Sequence, residues 1–463
     1  MADSTSPFDV VVLGGGSGGY ACAIRAAELG MRVALIEKDK VGGTCLHRGC
    51  IPTKALLHAA EIADQARESG NFGVNAKFEG IDIPGVHAYK DKVVNRLWKG
   101  LQGLIGSHGI TVVEGDGRLI SPTQVRVGDT VYEGQHVVLA TGSQPKTLPG
   151  LDFDGERVIS SDDALTLDRV PRSVVILGGG VIGVEFASVW RSFGAEVTIV
   201  EMLPHLVPLE DESSSKVLER AFRRRGIAFQ LGARFEGVKK TETGVTVTLA
   251  GGKTIDAELL LVAVGRGPVS AGLGYEQAGV EMERGFVKVD PLGQTNVPTI
   301  SAVGDLIPGP QLAHAGFGEG IMVAERLAGL KPAPIDYDGV PRVTYSDPEV
   351  ASVGISSATA AQRGIPVKEM TYNLGANGRS LILQTQGQAK IIAAADGDQA
   401  GPVLGVHLIG ARVGELIAEG QLIYNWEALP AEVAQLIHPH PTQSEALGEA
   451  HLALAGKPLH VHS

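Results

Sequence analysis

The chain repeats one alternation of apolar runs and helical stripes. From Phe8 it reads FDVVVLGGGSGGYACAIRAAELGMRVALIEK: an apolar run, a glycine turn, apolar residues at helical spacing, a stop at Gly30, and a second apolar run closed by Glu37. From Val174 it reads VVILGGGVIGVEFASVWRSFGAEVTIVE, the same order closed by Glu201. Both stretches predict strand, glycine loop, helix and second strand. The acid follows the first glycine by 23 residues each time, Gly14 to Glu37 and Gly178 to Glu201, so this is an internal repeat.

The glycine positions have a chemical reading. Gly14 and Gly178 permit the turn, Gly16 and Gly180 let backbone approach a pyrophosphate, and Gly19 and Gly183 pack helix on sheet. N–H groups at the helix start then stabilise phosphate charge. Glu37 and Glu201 would each accept from an adenosine ribose hydroxyl. No Lys or Arg lies between Met202 and Ser215, so the second copy is expected to take NAD rather than NADP. One such motif is weak testimony; two, each with strand, helix and acid in place, predict two bound dinucleotides.

Eight residues after Glu37 comes Cys45, which GGTCLHRGC holds together with Cys50, two of only three cysteines. Four explanations are open: a structural disulfide, half a metal site, two unrelated thiols, or a redox pair. In an ideal helix residues five apart lie about 8 to 9 Å apart at Cα, whereas a disulfide tolerates at most about 7 Å. A bond would therefore require irregular backbone, which Gly42, Gly43, Gly49 and Pro52 permit. The third cysteine, Cys22, sits in a helical apolar pattern and reads as a buried small residue.

Composition narrows the classes. At 463 residues, two to four domains are expected. Sixty-two glycines without a low-complexity tract imply many turns and close backbone approaches. A net charge of −12 argues against a nucleic-acid surface, which needs clustered Lys and Arg; no such run is expected here. No apolar stretch reaches membrane-spanning length, and MADSTSPFDVVVLGG carries no secretory or transit pattern. A cytoplasmic location is expected, where a disulfide is more often catalytic than structural. A thiol pair beside two dinucleotides then suggests flavin between dithiol and nicotinamide, because flavin accepts two electrons from one and passes hydride to the other.

The segment GGTCLHRGCIPTK resembles the redox-active signature of the pyridine nucleotide-disulfide oxidoreductases, and GGGSGGYACAIRAAELG resembles the branch of that family that oxidises dihydrolipoyl groups. Further resemblances follow in the family's order: VVLATGSQP with Thr141 and Gly142, LLLVAVGRGP with Gly265, TNVPTISAVGD with Asp305, LAHAGFGEG with Ala313, then VTYSDPEVASVG, ANGRS and GVHLIGARVGELI. Departures are Ser17, His47 and the glycine-rich run after Leu312.

The resemblance implies an α/β fold with two Rossmann-like dinucleotide-binding domains and a C-terminal α+β dimerisation domain. Its expected boundaries are 1–148 for FAD, 149–272 for NAD, 273–342 completing the FAD domain, and 343–463 for the interface. It implies a Cys45–Cys50 redox disulfide, with Cys45 exchanging and Cys50 facing flavin, and an acid-base pair of His440 and Glu445 in IHPHPTQSEALGE. His438 is the competing base. Thiol exchange needs a thiolate, and histidine is suited to make one near neutral pH. Lys54 and Glu185 are expected to pair beside the flavin; Gly14, Gly16, Gly19, Glu37, Thr141, Gly142, Asp305 and Ala313 to hold FAD; Gly178, Gly180, Gly183, Glu201 and Gly265 to hold NAD. No metal is expected. The expected assembly is a homodimer, working on lipoyl groups of 2-oxoacid dehydrogenase complexes or a glycine cleavage system. Rival readings are a glutathione- or mercuric-reductase-like enzyme and a non-catalytic dinucleotide-binding protein.

Overall fold

The computed structural model describes residues 7–397 and 399–461. Two compact units emerge, one from residues up to 55, 84–146 and 266–337, the other from 56–83, 147–265 and the chain from 338 onward.

In the first unit, strands Thr111–Glu114, Val33–Glu37, Phe8–Leu13 and Thr130–Leu139 lie side by side and parallel, with Ile300–Ala302 joining at Thr130–Leu139. The apolar runs explain this: Val10, Val11 and Val12 are all fully buried, as strands covered on both faces must be. Register pairs Val12 with Leu35 on one side and with Val138 on the other. Strands Gly117–Ser121 and Gln124–Val127 extend the sheet antiparallel.

Helix Ser17–Glu28 packs against helix Ala313–Leu327, and their glycines set the separation. A Cβ at Gly320 would stand 2.3 Å from the Gly18 carbonyl oxygen, so a larger residue would force the helices apart. The glycine-rich departure after Leu312 is thus a packing feature. Cys22 lies fully buried at the same crossing, where desolvation pushes its thiol up to about 12.

The second unit repeats the arrangement with strands Ala228–Gln230, Glu196–Val200, Ser173–Leu177, Leu259–Val262 and Val158–Ile159 in that parallel order. A three-stranded antiparallel sheet, Phe235–Lys240, Val245–Leu249 and Thr254–Ala257, follows. After residue 338 the strands become antiparallel, in the order Arg342–Thr344, Glu349–Gly354, Gln399–Gly410, Gln388–Asp396 and Val367–Asn373. Helices Val413–Asn425 and Glu445–Leu454 cover that sheet through Ile417, Ile423, Ala446, Leu447 and Ala450. This is the α+β arrangement expected of the C-terminal segment.

One compositional expectation is corrected. The chain does hold a basic run, Arg220, Arg223, Arg224 and Arg225, at the end of helix Glu212–Arg224. It escaped notice because acidic residues elsewhere dominate the total charge.

Candidate active site

Cys45 and Cys50 are joined by a disulfide, their Cα atoms 4.6 Å apart. The backbone delivers this by breaking the helix: Gly43–Arg48 ends at Gly49, whose φ of −150° and ψ of −105° are not helical, and a new helix, Cys50–Glu68, begins. The irregularity that a bond across this spacing demands is therefore present, and the metal and unrelated-thiol readings fall away.

The disulfide segment rests on the first glycine motif. Gly43, at φ +58°, would place a Cβ 2.6 Å from the Gly16 Cα, so only glycine allows this approach. Gly42 N–H donates to the Gly15 carbonyl at 2.8 Å. His47 anchors the same turn through a 3.0 Å hydrogen bond between its Nε2 and the Val41 carbonyl oxygen, and its ring meets Trp98 edge-on.

The two glycine motifs have the same geometry. A Cβ at Gly14 or Gly178 would collide with a neighbouring strand's backbone, at 2.2 Å from the Ala140 oxygen and 2.3 Å from the Ala263 oxygen. A Cβ at Gly19 or Gly183 would strike the first glycine's oxygen at 1.9 or 2.0 Å. The second glycine differs: Gly180 has open space before it, and Gly16 meets only Gly43, at 4.0 Å. Both helices start there with no side-chain cap, leaving N–H donors for a phosphate. Glu37 accepts from Gly15 N–H at 2.7 Å and Asp39 N–H at 2.9 Å; Glu201 accepts from Gly179 N–H at 2.6 Å and Leu203 N–H at 2.8 Å. The residues fit two dinucleotides.

Asp305 sits in a network that sequence reading missed. Ser143 donates its hydroxyl to Asp305, Arg266 donates Nε–H to the Ser143 hydroxyl at 2.8 Å, and the same guanidinium reaches the Thr44 hydroxyl at 3.4 Å, next to Cys45. Behind Asp305, the buried Glu319 carboxylate accepts from Gly304 N–H at 2.6 Å and from the Tyr337 hydroxyl at 2.8 Å. Burial, with Asp305 nearby, raises the Glu319 pKa despite those bonds. The turns GSQP and GRGP carried Ser143 and Arg266, but nothing in them announced a contact 123 residues apart.

Thr141 donates to the Val269 carbonyl at 2.6 Å and meets the Tyr275 hydroxyl at 2.9 Å; Gly142 and Gly265 take positive φ at their turns. Ala313 opens its helix, and Lys54 is half-buried one turn into the helix that starts at Cys50. Glu185 is 2 % exposed and accepts from Tyr345 N–H at 2.8 Å, so it is no surface residue of its helix.

The two histidines of HPHP have different partners. His440 Nδ1 lies 2.8 Å from Glu445 Oε1 while the side chain is 78 % exposed. His438 is mostly buried and bonds Glu419 at 2.7 Å, which raises its pKa. For Glu445, desolvation opposes the charged form, but hydrogen bonds from Thr442 N–H and the His440 ring prevail and its pKa falls. Nδ1 facing a carboxylate carries the proton, leaving Nε2 as the available base. The loop is held by Asn377, which donates to the Thr442 carbonyl at 2.9 Å, and by Gln443, which donates to the Ala411 carbonyl at 2.6 Å.

Disulfide, paired nucleotide cradles and His-Glu dyad define a redox enzyme working on thiols. The sequence pattern of the pyridine nucleotide-disulphide oxidoreductases matches residues 8–320, and that of their dimerisation domain matches 340–451. The chain belongs to this family and is a flavoprotein disulfide oxidoreductase, a membership that implies use of flavin and NAD(H). It is 42% identical to a dihydrolipoyl dehydrogenase of Bacillus subtilis, covering 98% of this chain and 99% of that one. It is 39% identical to the mitochondrial dihydrolipoyl dehydrogenase of Pisum sativum, covering 100% and 94%. Among solved structures, LpdA of Mycobacterium tuberculosis superposes with a TM-score of 0.89 at 28% identity, over 96% of this chain and 99% of the other. Among the described residues, no helix is long and apolar enough to cross a membrane.

Proposed function

We propose that the chain is a dihydrolipoyl dehydrogenase, oxidising protein-bound dihydrolipoyl groups to the cyclic disulfide and reducing NAD⁺. The observation carrying this reading is the Cys45–Cys50 disulfide seated on the first glycine cradle through the Gly43–Gly16 contact. FAD is assigned to residues 1–148 and 273–342, through Gly14, Gly16, Gly19, Glu37, Thr141, Gly142, Asp305 and Ala313. NAD is assigned to 149–272, through Gly178, Gly180, Gly183, Glu201 and Gly265. Lys54 and Glu185 are assigned to the reactive edge of the flavin.

His440 Nε2 takes a proton from the substrate dithiol. The thiolate attacks Sγ of Cys45, forming a mixed disulfide, and Cys50 leaves as a thiolate. The second substrate sulfur then displaces Cys45, so lipoyl leaves oxidised by two electrons and the cysteines are left reduced. Glu445 stabilises the imidazolium formed in the first step. Bound flavin would supply the two-electron acceptor that reoxidises the pair and passes hydride to nicotinamide. Glu201 would repel a 2′-phosphate and so favour NAD.

The working form is a homodimer through residues 343–463, in which His440 serves the partner's disulfide and a two-fold axis creates two equivalent sites. The location is the cytoplasm, where the disulfide is a reagent and not a staple. A substrate panel tests the reading. The protein should form NADH from dihydrolipoamide and NAD⁺, with kcat/KM at least a hundredfold above that for reduced glutathione; equal rates would reject it.

A further inference from the structure

The basic run on helix Glu212–Arg224 lines a pocket of about 470 Å³. One wall is Arg220, Arg223 and Arg224, which fall at i, i+3 and i+4 and so share a helix face. The facing wall carries the amides of Asn373, Gln386 and Gln388, and Val217, Ala221 and Pro348 form an apolar floor. No carboxylate lines it.

The charge is locally uncompensated. Arg225, outside the pocket, is paired with both Asp64 and Asp347, as a structural arginine should be. Within it, Arg223 stands 4.0 Å from Glu219, a carboxylate that also bonds His205 at 3.2 Å, and its guanidinium lies 4.6 Å over the Phe229 ring. Arg224 donates to the Gln386 amide oxygen at 2.6 Å, a neutral acceptor, and Arg220 makes no ion pair among the described residues. Like charges at this spacing repel along a helix. The negative helix C-terminus relieves part of that, but it does not account for a concave face of guanidinium and amide donors with no acid among them. Gln386 accepts from Arg224 and Asn373 accepts from Gly375 N–H at 2.8 Å through their amide oxygens, whereas Gln388 donates its amide N–H to the Ser213 hydroxyl at 2.9 Å.

We propose that this pocket binds a small phosphorylated molecule, its phosphate oxygens held by Arg220, Arg223 and Arg224 and its apolar part resting on Val217, Ala221 and Pro348. Planar guanidinium forks match phosphate oxygens two at a time, which suits arginine here better than lysine. The ligand would tie the helix to strands Val367–Asn373 and Gln388–Asp396, apart from the cysteines and the nucleotide cradles.

The test is calorimetric titration of the flavin-loaded enzyme with inorganic pyrophosphate and with AMP, at constant ionic strength and with NAD⁺ saturating so that the Gly178 cradle is closed to either probe. Wild type should bind both saturably, and the Arg220→Gln/Arg224→Gln double variant at least tenfold more weakly. Turnover and flavin spectrum of the variant should be unchanged, since neither residue belongs to the site of catalysis. Arg223→Gln alone should weaken binding at least threefold. Absence of saturable pyrophosphate binding by wild type, or equal affinity in wild type and double variant, would overturn the proposal.

Discussion

His440 and Glu445 act as one group: the ring nitrogen Nδ1 lies 2.8 Å from the carboxylate, which also accepts from Thr442 N–H, so both ring and carboxylate are fixed by the same short turn. His438, two residues earlier, is engaged with Glu419 and is mostly buried. The sequence could not separate these histidines except by resemblance; in the structure each bonds a glutamate, and what differs is exposure, His440 being largely open and His438 largely covered.

His440→Gln should therefore lower kcat/KM for dihydrolipoamide by about 10² to 10⁴, the range typical of general acid-base catalysis. Reduction of the bound flavin by NADH should be unaffected. His438→Gln should cost much less. Equal losses in the two variants would reject the assignment of the base.

The glycine cradles yield a sharper contrast. Gly180 faces open space, so Gly180→Ala should fold with an unchanged unfolding midpoint while raising KM for NAD⁺ at least tenfold, because its methyl group occupies the place of approach. Gly183→Ala should lower stability by about 1–3 kcal/mol, since its Cβ would lie 2.0 Å from the Gly178 oxygen. If both variants lose only stability, Gly180 does not face a ligand.

The proposed preference for NAD rests on Glu201, 8 % exposed and held by Gly179 and Leu203 N–H groups. Wild-type kcat/KM should favour NADH over NADPH by at least a hundredfold, and Glu201→Ala should narrow that ratio. Equal wild-type values would remove the ribose contact from the account.

Much of this site was legible along the chain because its parts are local. Strand, glycine turn, helix and acid occupy one short stretch twice, and Cys45 and Cys50 lie five residues apart. What could not be read is long-range. Arg266 reaches Thr44 across 222 residues, Glu319 meets Gly304 only because a helix lies over that turn, and Glu419 finds His438 from helix Val413–Asn425. Arg220, Arg223 and Arg224 were visible as letters, yet their gathering on one wall is a property of the pocket they line.

A shared active site can be tested by complementation. Inactive Cys45→Ser and His440→Ala subunits, unfolded and refolded together, should regain up to half of wild-type activity per heterodimer, because one site then carries both defects and the other neither. Demonstrated heterodimers without activity would place His440 beside its own chain's thiols.

The central claim is that electrons from the dithiol pass through Cys45 and Cys50. It is tested most directly by the Cys45→Ser/Cys50→Ser double variant, flavin-loaded and kept anaerobic, assayed from both ends. With dihydrolipoamide and NAD⁺ it should form no NADH above background, whereas NADH should still bleach its flavin at a rate within about threefold of wild type, the nucleotide cradles being intact. NADH formation from dihydrolipoamide by the double variant at a rate comparable to wild type would contradict the account.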